Sequence, residues 1–354
     1  MRDRVPVILD VDTGIDDSLA LLYACASPEI DLVAVTCVAG NVPVDAVAHN
    51  TRSLLELAGR GEVPVARGAD RPLVKALRTT EETHGPSGIG HAGLPDPTRP
   101  LVPGDAASLI ADAARRDPGR IQLVTLGPMT NLALAIRREP RLPSLLRGWS
   151  FMGGAFRVPG NTTPTSEWNL HVDPDAAKAS LTAWTAATAQ DPAIPRPLGM
   201  GLDVTELARI VPVDLVRLVR RAGAQARDAA ALADAGTPML PVGSVAANPA
   251  LRFIVDALRF YFEFHVRADG FYGAFIHDPF ALAAAIDRSL VTTQAVFVDV
   301  EAGPGLAHGM TVADWRGLTG RPPNVDVATD GDAAAFLVRF VDRVGGLASR
   351  AGPG

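Results

Sequence analysis

The stretch Ile8-Leu9-Asp10-Val11-Asp12-Thr13-Gly14-Ile15-Asp16-Asp17 places four carboxylates within eight residues. An apolar run from Val5 to Leu9 leads into these acids, and a helical pattern from Leu19 to Ala24 follows them. This order predicts a strand, a tight turn and a helix, with the acids at the carboxyl end of the first strand. Ligands bind at this edge in open α/β sheets.

Four acids packed so closely repel one another, and they must be solvated, protonated or bound to a cation. A hard cation such as Ca²⁺ or Mg²⁺, held by oxygen ligands, satisfies them most simply. The alternative interpretation is that Asp10 ends the strand and Asp16 caps the helix. One cap needs one Asp rather than four, so the cluster favours a cation site.

Composition limits the classes of function. The chain has 354 residues, of which 47% are hydrophobic, enough for a large buried core. A net charge of -6 and the absence of a long basic run argue against nucleic acid as a partner. The amino terminus lacks an apolar signal core, and the apolar stretches are too short or too interrupted to span a bilayer. We therefore expect a cytoplasmic protein without membrane association.

Strand-like and helical segments alternate along the chain, which predicts an α/β fold with an open, mostly parallel sheet and helices on both faces. Strands are predicted at Val5–Leu9, Leu32–Val38, Val63–Ala66, Ile121–Leu126, Ser150–Met152, Pro197–Val204 and Ala295–Val300, the last of which closes the sheet. Helices are predicted at Asp16–Ala26, Val44–Ala58, Ala106–Arg116, Leu132–Arg138, Asp173–Ala183, Val213–Ala235, Leu251–Val266, Phe280–Ile286 and Asp332–Val344, with a turn at Ser244–Ala250. No internal repeat or linker is evident, so residues 1–354 are predicted to form one domain.

Three polar segments interrupt this alternation. Residues 68–104 are rich in Gly, Pro and Thr, and the glycines around His84 predict a flexible loop there. Residues 159–169 combine amides, hydroxyls, an acid and an indole, which suits a polyol beside a flat ring, although a plain loop with Asx-turns explains them equally well. His277 and Asp278 precede Pro279 at a predicted helix start, where an N-cap and a packed histidine are the simpler interpretation.

These segments offer Asp, Asn, Glu, His and Thr, and Arg157 is the only cation near any of them. A phosphate site normally brings cationic donors, whereas glycoside cleavage passes through a positively charged transition state that acids stabilise. A divalent ion lowers the pKa of a water, and a neighbouring carboxylate can take the proton. The pattern therefore favours attack of water on the anomeric carbon of a sugar.

The chain resembles the nucleoside hydrolase family of the inosine–uridine-preferring type. Residues 10–17 are similar to its signature D-x-D-x-G-x-D-D, with Thr13 where the family usually has proline. Its later motifs are resembled, in order, by Val38-Ala39-Gly40-Asn41, His84-Gly85-Pro86-Ser87-Gly88, Leu126-Gly127-Pro128-Met129-Thr130-Asn131, Met152-Gly153-Gly154, Glu167-Trp168-Asn169, His277-Asp278-Pro279, Gly309-Met310-Thr311-Val312 and Pro323-Asn324-Val325. The resemblance covers residues 5 to about 340, and the ordered set is more specific than any one motif.

The resemblance implies a role for each matching residue. Ca²⁺ would be held by the carboxylates of Asp12, Asp17 and Asp278 and by the backbone carbonyl of Leu126. Catalysis would rest on Asp12 as the acceptor of the proton from water, on Asn41 as an orienting group and on His277 as proton donor or hydrogen-bond partner of the leaving base. The substrate-binding residues would be Asp16, His84, Met152, Asn161, Glu167, Trp168, Asn169 and Tyr272. Within this set, Asp16 and Asn169 would bind the ribose 2′- and 3′-hydroxyls, and Asn161 and Glu167 the 5′ side.

The resemblance further implies Ca²⁺-dependent hydrolysis of the N-glycosidic bond of ribonucleosides by a homodimer or homotetramer. The preference for purine or pyrimidine bases stays open. Two other functions stay open as well. The first is a phosphatase of the haloacid dehalogenase type, with Asp10 as nucleophile, and the second is a nucleoside-binding protein without activity.

Overall fold

The computed structural model describes residues 4–224 and 248–350. These residues contain a nine-stranded sheet. Its strands, in spatial order, are β10 (Thr311–Asp314), β9 (Val291–Val300), β11 (Val325–Gly331), β6 (Leu198–Met200), β5 (Gly148–Met152), β4 (Gln122–Thr125), β1 (Val5–Val11), β2 (Ile30–Cys37) and β3 (Val65–Arg67). All neighbours pair in parallel except β9, which is antiparallel to both β10 and β11. Strands β7 (Arg209–Ile210) and β8 (Ala274–Phe275) form a separate antiparallel pair.

The helices fill the intervals between strands. They are α1 (Ile15–Ala26), α2 (Val44–Leu57), α3 (Glu81–His84), α4 (Ala106–Arg116), α5 (Thr130–Arg138), α6 (Leu142–Leu145), α7 (Trp168–Val172), α8 (Pro174–Gln190), α9 (Leu202–Thr205), α10 (Pro212–Arg221), α11 (Pro249–Asp269), α12 (His277–Ile286) and α13 (Ala333–Arg350). A 3₁₀ turn spans Arg288–Leu290. None of the described helices is both long and apolar enough to cross a bilayer.

Strand β1 organises the sheet because it is buried on both faces. The side chains of Leu9 and Val11 belong to one apolar cluster and that of Ile8 to another, so each sheet face has its own core. Strand β1 pairs with β2 on one side and β4 on the other, and the strand order reverses at this point. The carboxyl ends of these strands therefore meet at the switch point where α/β sheets bind ligands.

Several element boundaries differ from the prediction. The predicted strand Pro197–Val204 ends at Met200, because Gly201 is the N-cap of the short helix α9. Strand β9 does not close the sheet, since β10 pairs along its outer edge and β11 along its inner edge. Neither β10 nor β11 was predicted, because β10 has only four residues and polar residues interrupt the apolar pattern of β11.

Two predictions fall partly outside the described residues. The predicted helix Val213–Ala235 corresponds to α10, which ends at Arg221, and its residues 225–235 lie outside the described part. The turn predicted at Ser244–Ala250 lies outside it up to residue 247, and α11 begins at Pro249.

Residues 68–104 contain the short helix α3 and are hydrogen-bonded to the start of α8 and to α2. The backbone N–H of Leu73 donates to Asp173, and that of Thr98 donates to Glu56. The flexibility of this loop and the single domain over residues 1–354 stay predictions.

Asn131 connects three segments beneath the acid cluster. Its Nδ2 donates to Asp10 Oδ1 at 2.7 Å and to the Cys37 carbonyl, and its Oδ1 accepts from the backbone N–H of Ala69. Asn131 and its bonds to Asp10 and Cys37 are buried, so Asn131→Ala should lower the free energy of unfolding by about 1–3 kcal/mol. Urea unfolding measures this, with the exposed Gln190→Ala as control. An unchanged midpoint for Asn131→Ala would contradict this structural role.

Candidate active site

The turn between β1 and α1 is held by one of its own acids. Asp17 accepts hydrogen bonds from the backbone N–H of Asp12, at 3.2 Å, and of Gly14, at 2.9 Å. Asp17, and not Asp16, therefore caps the start of α1. Asp278 is likewise not an N-cap, since α12 begins one residue earlier and Asp278 lies within its first turn.

Three carboxylates converge at this point. Ligand oxygens of Asp16, Asp17 and Asp278 lie within 4.8 Å of one another, and all three residues are buried. Among the described residues, no Lys or Arg forms an ion pair with any of them. The Oδ1 atom of Asn41 beside them is buried and has no described partner. An all-oxygen, uncompensated donor set of this kind fits a hard divalent cation, so the cluster can hold a metal ion.

This grouping differs from the ligand set that the resemblance implied. Asp16 joins Asp17 and Asp278 in it, whereas Asp12 was expected there. The Leu126 carbonyl, also expected as a ligand, accepts a hydrogen bond from Asn169 Nδ2 at 2.6 Å.

Burial of the cluster raises the pKa of each acid. Burial is the main cause for Asp12, Asp16, Asp17 and Asp278, and the charges of neighbouring acids raise the pKa further for Asp12, Asp16 and Asp278. Burial likewise raises the pKa of Asp10 to about 7. The protein alone thus holds these acids in an electrostatically unfavourable state, which a bound cation would relieve.

Asp12 sits between two loops that follow neighbouring strands. Its Oδ2 accepts from the backbone N–H of Asn41 at 2.8 Å. Gly40 and Gly127 lie against its carboxylate, and a Cβ added at Gly127 would come within 2.7 Å of Asp12 Oδ1. The Ala39-Gly40-Asn41 and Leu126-Gly127 motifs therefore leave room for this side chain.

A cavity of about 450 Å³ opens above these acids. The predicted site residues that line it are Asp12, Asp16, Asn41, His84, Leu126, Met152, Asn161, Glu167, Trp168, Asn169, His277 and Asp278. Asp17 is fully buried behind it. Tyr272 is not among the lining residues, and its ring packs against Phe262 with centroids 5.3 Å apart. A contact between Tyr272 and the substrate therefore stays a prediction.

The polar residues of the 159–169 segment also hold the cavity wall together. Glu167 caps α7 and accepts from the backbone N–H groups of Asn169, Leu170 and Gly154. Asn169 Nδ2 donates to the Leu126 carbonyl and, at 3.2 Å, to the Met152 carbonyl, which joins the ends of β4 and β5. The indole Nε1 of Trp168 is buried without a described partner.

Both histidines of the predicted site are buried in the same wall. His84 Nδ1 accepts from the backbone N–H of Ile15 at 3.1 Å, and His277 Nδ1 lies 2.8 Å from Thr205 Oγ1. Burial lowers the pKa of both to about 3. Both imidazoles are therefore neutral at neutral pH, and His84 is buried rather than solvated.

Other lining residues were missed by sequence reasoning. They are Arg78, Glu206, Tyr261, Phe264, His265, Asp269 and Phe275, together with several loop residues. The aromatic spacing of Tyr261 and Phe264 along α11 is typical of core helices, so it does not indicate that they line a cavity. Arg78 lines the cavity, so the inference that Arg157 is the only cation near the motifs is wrong. The guanidinium of Arg157 stacks on the ring of Trp315, 3.7 Å from its centroid.

The family model described as "Inosine-uridine preferring nucleoside hydrolase" matches residues 7–338. The chain belongs to this family. It is 35% identical to the pyrimidine-specific ribonucleoside hydrolase RihA of Salmonella arizonae over 341 residues, which covers 96% of this chain and 98% of the relative. Among solved nucleoside hydrolases, it is similar to the purine-preferring ribonucleoside hydrolase from Gardnerella vaginalis, with 29% identity, a TM-score of 0.83 and coverage of 98% and 99%. An inosine-guanosine nucleoside hydrolase follows with 26% identity, a TM-score of 0.80 and coverage of 96% and 98%.

The comparisons confirm three predictions for this nucleoside hydrolase: the family, the open and mostly parallel α/β fold, and the class of enzyme, an N-glycosidase acting on nucleosides. The haloacid dehalogenase alternative also fails on geometry. It needs Asp10 as an accessible nucleophile, but Asp10 is fully buried and its Oδ1 is held by Thr36 and Asn131.

Proposed function

We propose that this nucleoside hydrolase cleaves the N-glycosidic bond of ribonucleosides in a Ca²⁺-dependent reaction that yields the free base and ribose. The observation that carries the proposal is the placement of Asp12, Asp16 and Asp278 on the wall of one polar cavity, with Asp17 buried directly behind them. The names of its relatives include both pyrimidine-specific and purine-preferring enzymes. The proposal therefore covers both classes of nucleoside.

Ca²⁺ would be held by Asp17 and Asp278, with Asp12, Asp16 and the Leu126 carbonyl as the further oxygen donors at hand. When bound, such a cation makes a water more acidic and offsets the repulsion among the acids. Ca²⁺ accepts six to eight oxygens in flexible geometry, which suits a donor set spread over three loops.

Asp12 is proposed to accept the proton of the attacking water, and Asn41 to orient that water through its unpartnered Oδ1. Support for this comes from the 2.8 Å hydrogen bond that fixes Asp12 against Asn41. The acidic wall would stabilise positive charge that develops on the ribose in the transition state.

The remaining predicted residues would position the substrate. Asp16 and the amide oxygen of Asn169 would bind the 2′- and 3′-hydroxyls, since Asn169 Nδ2 is already used in the wall. Asn161 and Glu167 would face the 5′ side, with Met152 beneath the ribose. Trp168 would stack on the base, and His84 would contact the substrate from the 68–104 loop.

His277 is proposed to serve the leaving base, as its proton donor or its hydrogen-bond partner. In His277→Ala, kcat/KM for inosine and uridine should fall by roughly 10²- to 10⁴-fold. Cleavage of p-nitrophenyl riboside should fall far less, because its aglycone leaves without protonation. The exposed His91→Ala is the matched control. Equal losses on nucleosides and on the aryl riboside would remove His277 from leaving-group chemistry.

Chromatography of reactions with inosine, uridine, cytidine and adenosine tests the proposed activity. We expect equal amounts of free base and ribose from at least one substrate. The ranking of the four decides between a broad enzyme and a purine- or pyrimidine-restricted one. Binding without turnover of any of them would instead establish the nucleoside-binding alternative. The homodimer or homotetramer and the cytoplasmic location stay predictions.

A further inference from the structure

His265, to which the roles above assign nothing, lines the cavity from helix α11. His265 is only 3% exposed. Its Nδ1 lies 2.6 Å from Oδ2 of Asp269, one helical turn further along. Because an ionised carboxylate only accepts hydrogen bonds, Nδ1 must carry the hydrogen of this pair. In a neutral imidazole, Nε2 is then an acceptor with a free lone pair.

This Nε2 atom has no hydrogen-bond partner among the described residues, although it is buried. Buried polar atoms without partners are rare in native proteins, and each requires an explanation. The rings of Tyr261, Phe264 and Phe275 lie around the imidazole, with centroids at 4.7, 5.2 and 5.0 Å. In such apolar surroundings an unsatisfied acceptor is costly, and a hydrogen bond that reaches it is strong.

The protonation of His265 agrees with an acceptor role. Burial lowers its pKa from the usual 6.5, and the neighbouring Asp269 opposes this only in part. The ring is therefore neutral at neutral pH, with its hydrogen on Nδ1. His84 is the opposite case, because its Nδ1 accepts from the backbone N–H of Ile15 and leaves the hydrogen on Nε2. The two imidazoles thus carry complementary hydrogen-bond groups.

We propose that His265 is a specificity-determining residue that accepts a hydrogen bond from an N–H group of the nucleobase, and that Asp269 is the positioning residue that fixes its tautomer. This inference rests on the proposed nucleoside hydrolysis and adds to it a chemical class of base. Bases with a ring N–H or an amino group are favoured over bases of the same shape that lack the donor.

Matched substrate pairs test this selectivity in the intact enzyme. Uridine and 3-deazauridine differ in a ring N–H, whereas cytidine and pyrimidin-2-one riboside, or adenosine and purine riboside, differ in an amino group. The measured quantity is kcat/KM for the nucleoside with the donor divided by kcat/KM for its partner without it. For at least one pair, we expect this ratio to be roughly 10-fold lower in His265→Leu than in the wild type. The electronic difference within a pair cancels when the two enzymes are compared. His49→Leu, a histidine outside the cavity lining, should keep the wild-type ratios.

Two further variants separate a hydrogen bond from a general loss of structure. His265→Gln, which keeps an acceptor, should restore part of the lost ratio, and Asp269→Leu should lower it because the imidazole can then adopt either tautomer. Turnover of p-nitrophenyl riboside shows that each variant is folded. Unchanged ratios for all three pairs in His265→Leu and Asp269→Leu would overturn this inference and leave the proposed function standing. A wild-type enzyme that cleaves no riboside would overturn the proposed function instead.

Discussion

Asp12→Asn is expected to lower kcat for ribonucleosides by roughly 10²- to 10⁴-fold, the range typical of a lost general base. Asparagine has the same shape, and its Oδ1 can still accept from the backbone N–H of Asn41, now 2.8 Å from the carboxylate. It cannot take a proton from water. Steady-state ribose release measures the effect, and far-ultraviolet circular dichroism and thermal unfolding check that the fold survives.

Asp31→Asn is a suitable control, because Asp31 is a partly exposed residue of β2 and is not among the cavity-lining residues. It should keep wild-type turnover. If Asp12→Asn kept it as well, Asp12 would not be the proton acceptor, and another acid of the cluster would have to be.

Asp278→Asn is expected to abolish most of the response to Ca²⁺. With Ca²⁺ at about 100 times its Kd, the wild-type protein gains about 2.7 kcal/mol, which raises Tm by roughly 3–5 °C for a chain of this length. The variant lacks one carboxylate of the group Asp16, Asp17 and Asp278, so this rise should disappear. Differential scanning fluorimetry of chelated wild type and chelated variant, titrated with Ca²⁺, measures the Tm rise of each protein.

The same variant gives a second, opposite signal in the absence of metal. Burial and the charges of Asp16 and Asp17 raise the pKa of Asp278, so its charged form is unfavourable in the apoprotein. Chelated Asp278→Asn should therefore unfold at a higher temperature than chelated wild type. An equal Ca²⁺ shift in both proteins would mean that the cation binds elsewhere.

The position of the acid cluster could be predicted from sequence because strand, turn and helix follow one another within a few residues. Apolar residues before Asp10 and a helical pattern after Asp17 are enough to place these acids at the edge of a parallel sheet. Asp278 joins them from a distant part of the chain. Only the resemblance to a family implied that contact, since periodicity carries no information about it.

Helix α11 shows where sequence reasoning was correct but incomplete. Its aromatic spacing is typical of a core helix, and Phe253 and Phe262 are indeed buried there. Tyr261 and His265 are also buried in this helix, and in addition they line the cavity. The available signal was the spacing of His265 and Asp269 by four residues, which allows a hydrogen bond along one helix face.

Two side-chain positions in the structure could not be predicted from sequence patterns. Asp17 rather than Asp16 caps α1, because only its carboxylate reaches the backbone N–H of Gly14. Tyr272 packs on Phe262 instead of lining the cavity. Both depend on the direction of a side chain, which composition and spacing do not specify.

Ribose release from uridine and inosine by the chelated protein, before and after Ca²⁺ is added back, tests the central claim most directly. The account predicts little release after chelation and recovery on addition of Ca²⁺, because the buried acids need the cation to form the working site. Full activity in the thoroughly chelated protein would contradict a metal role for Asp17 and Asp278. No release under either condition, from protein shown to be folded, would contradict the proposed hydrolysis itself.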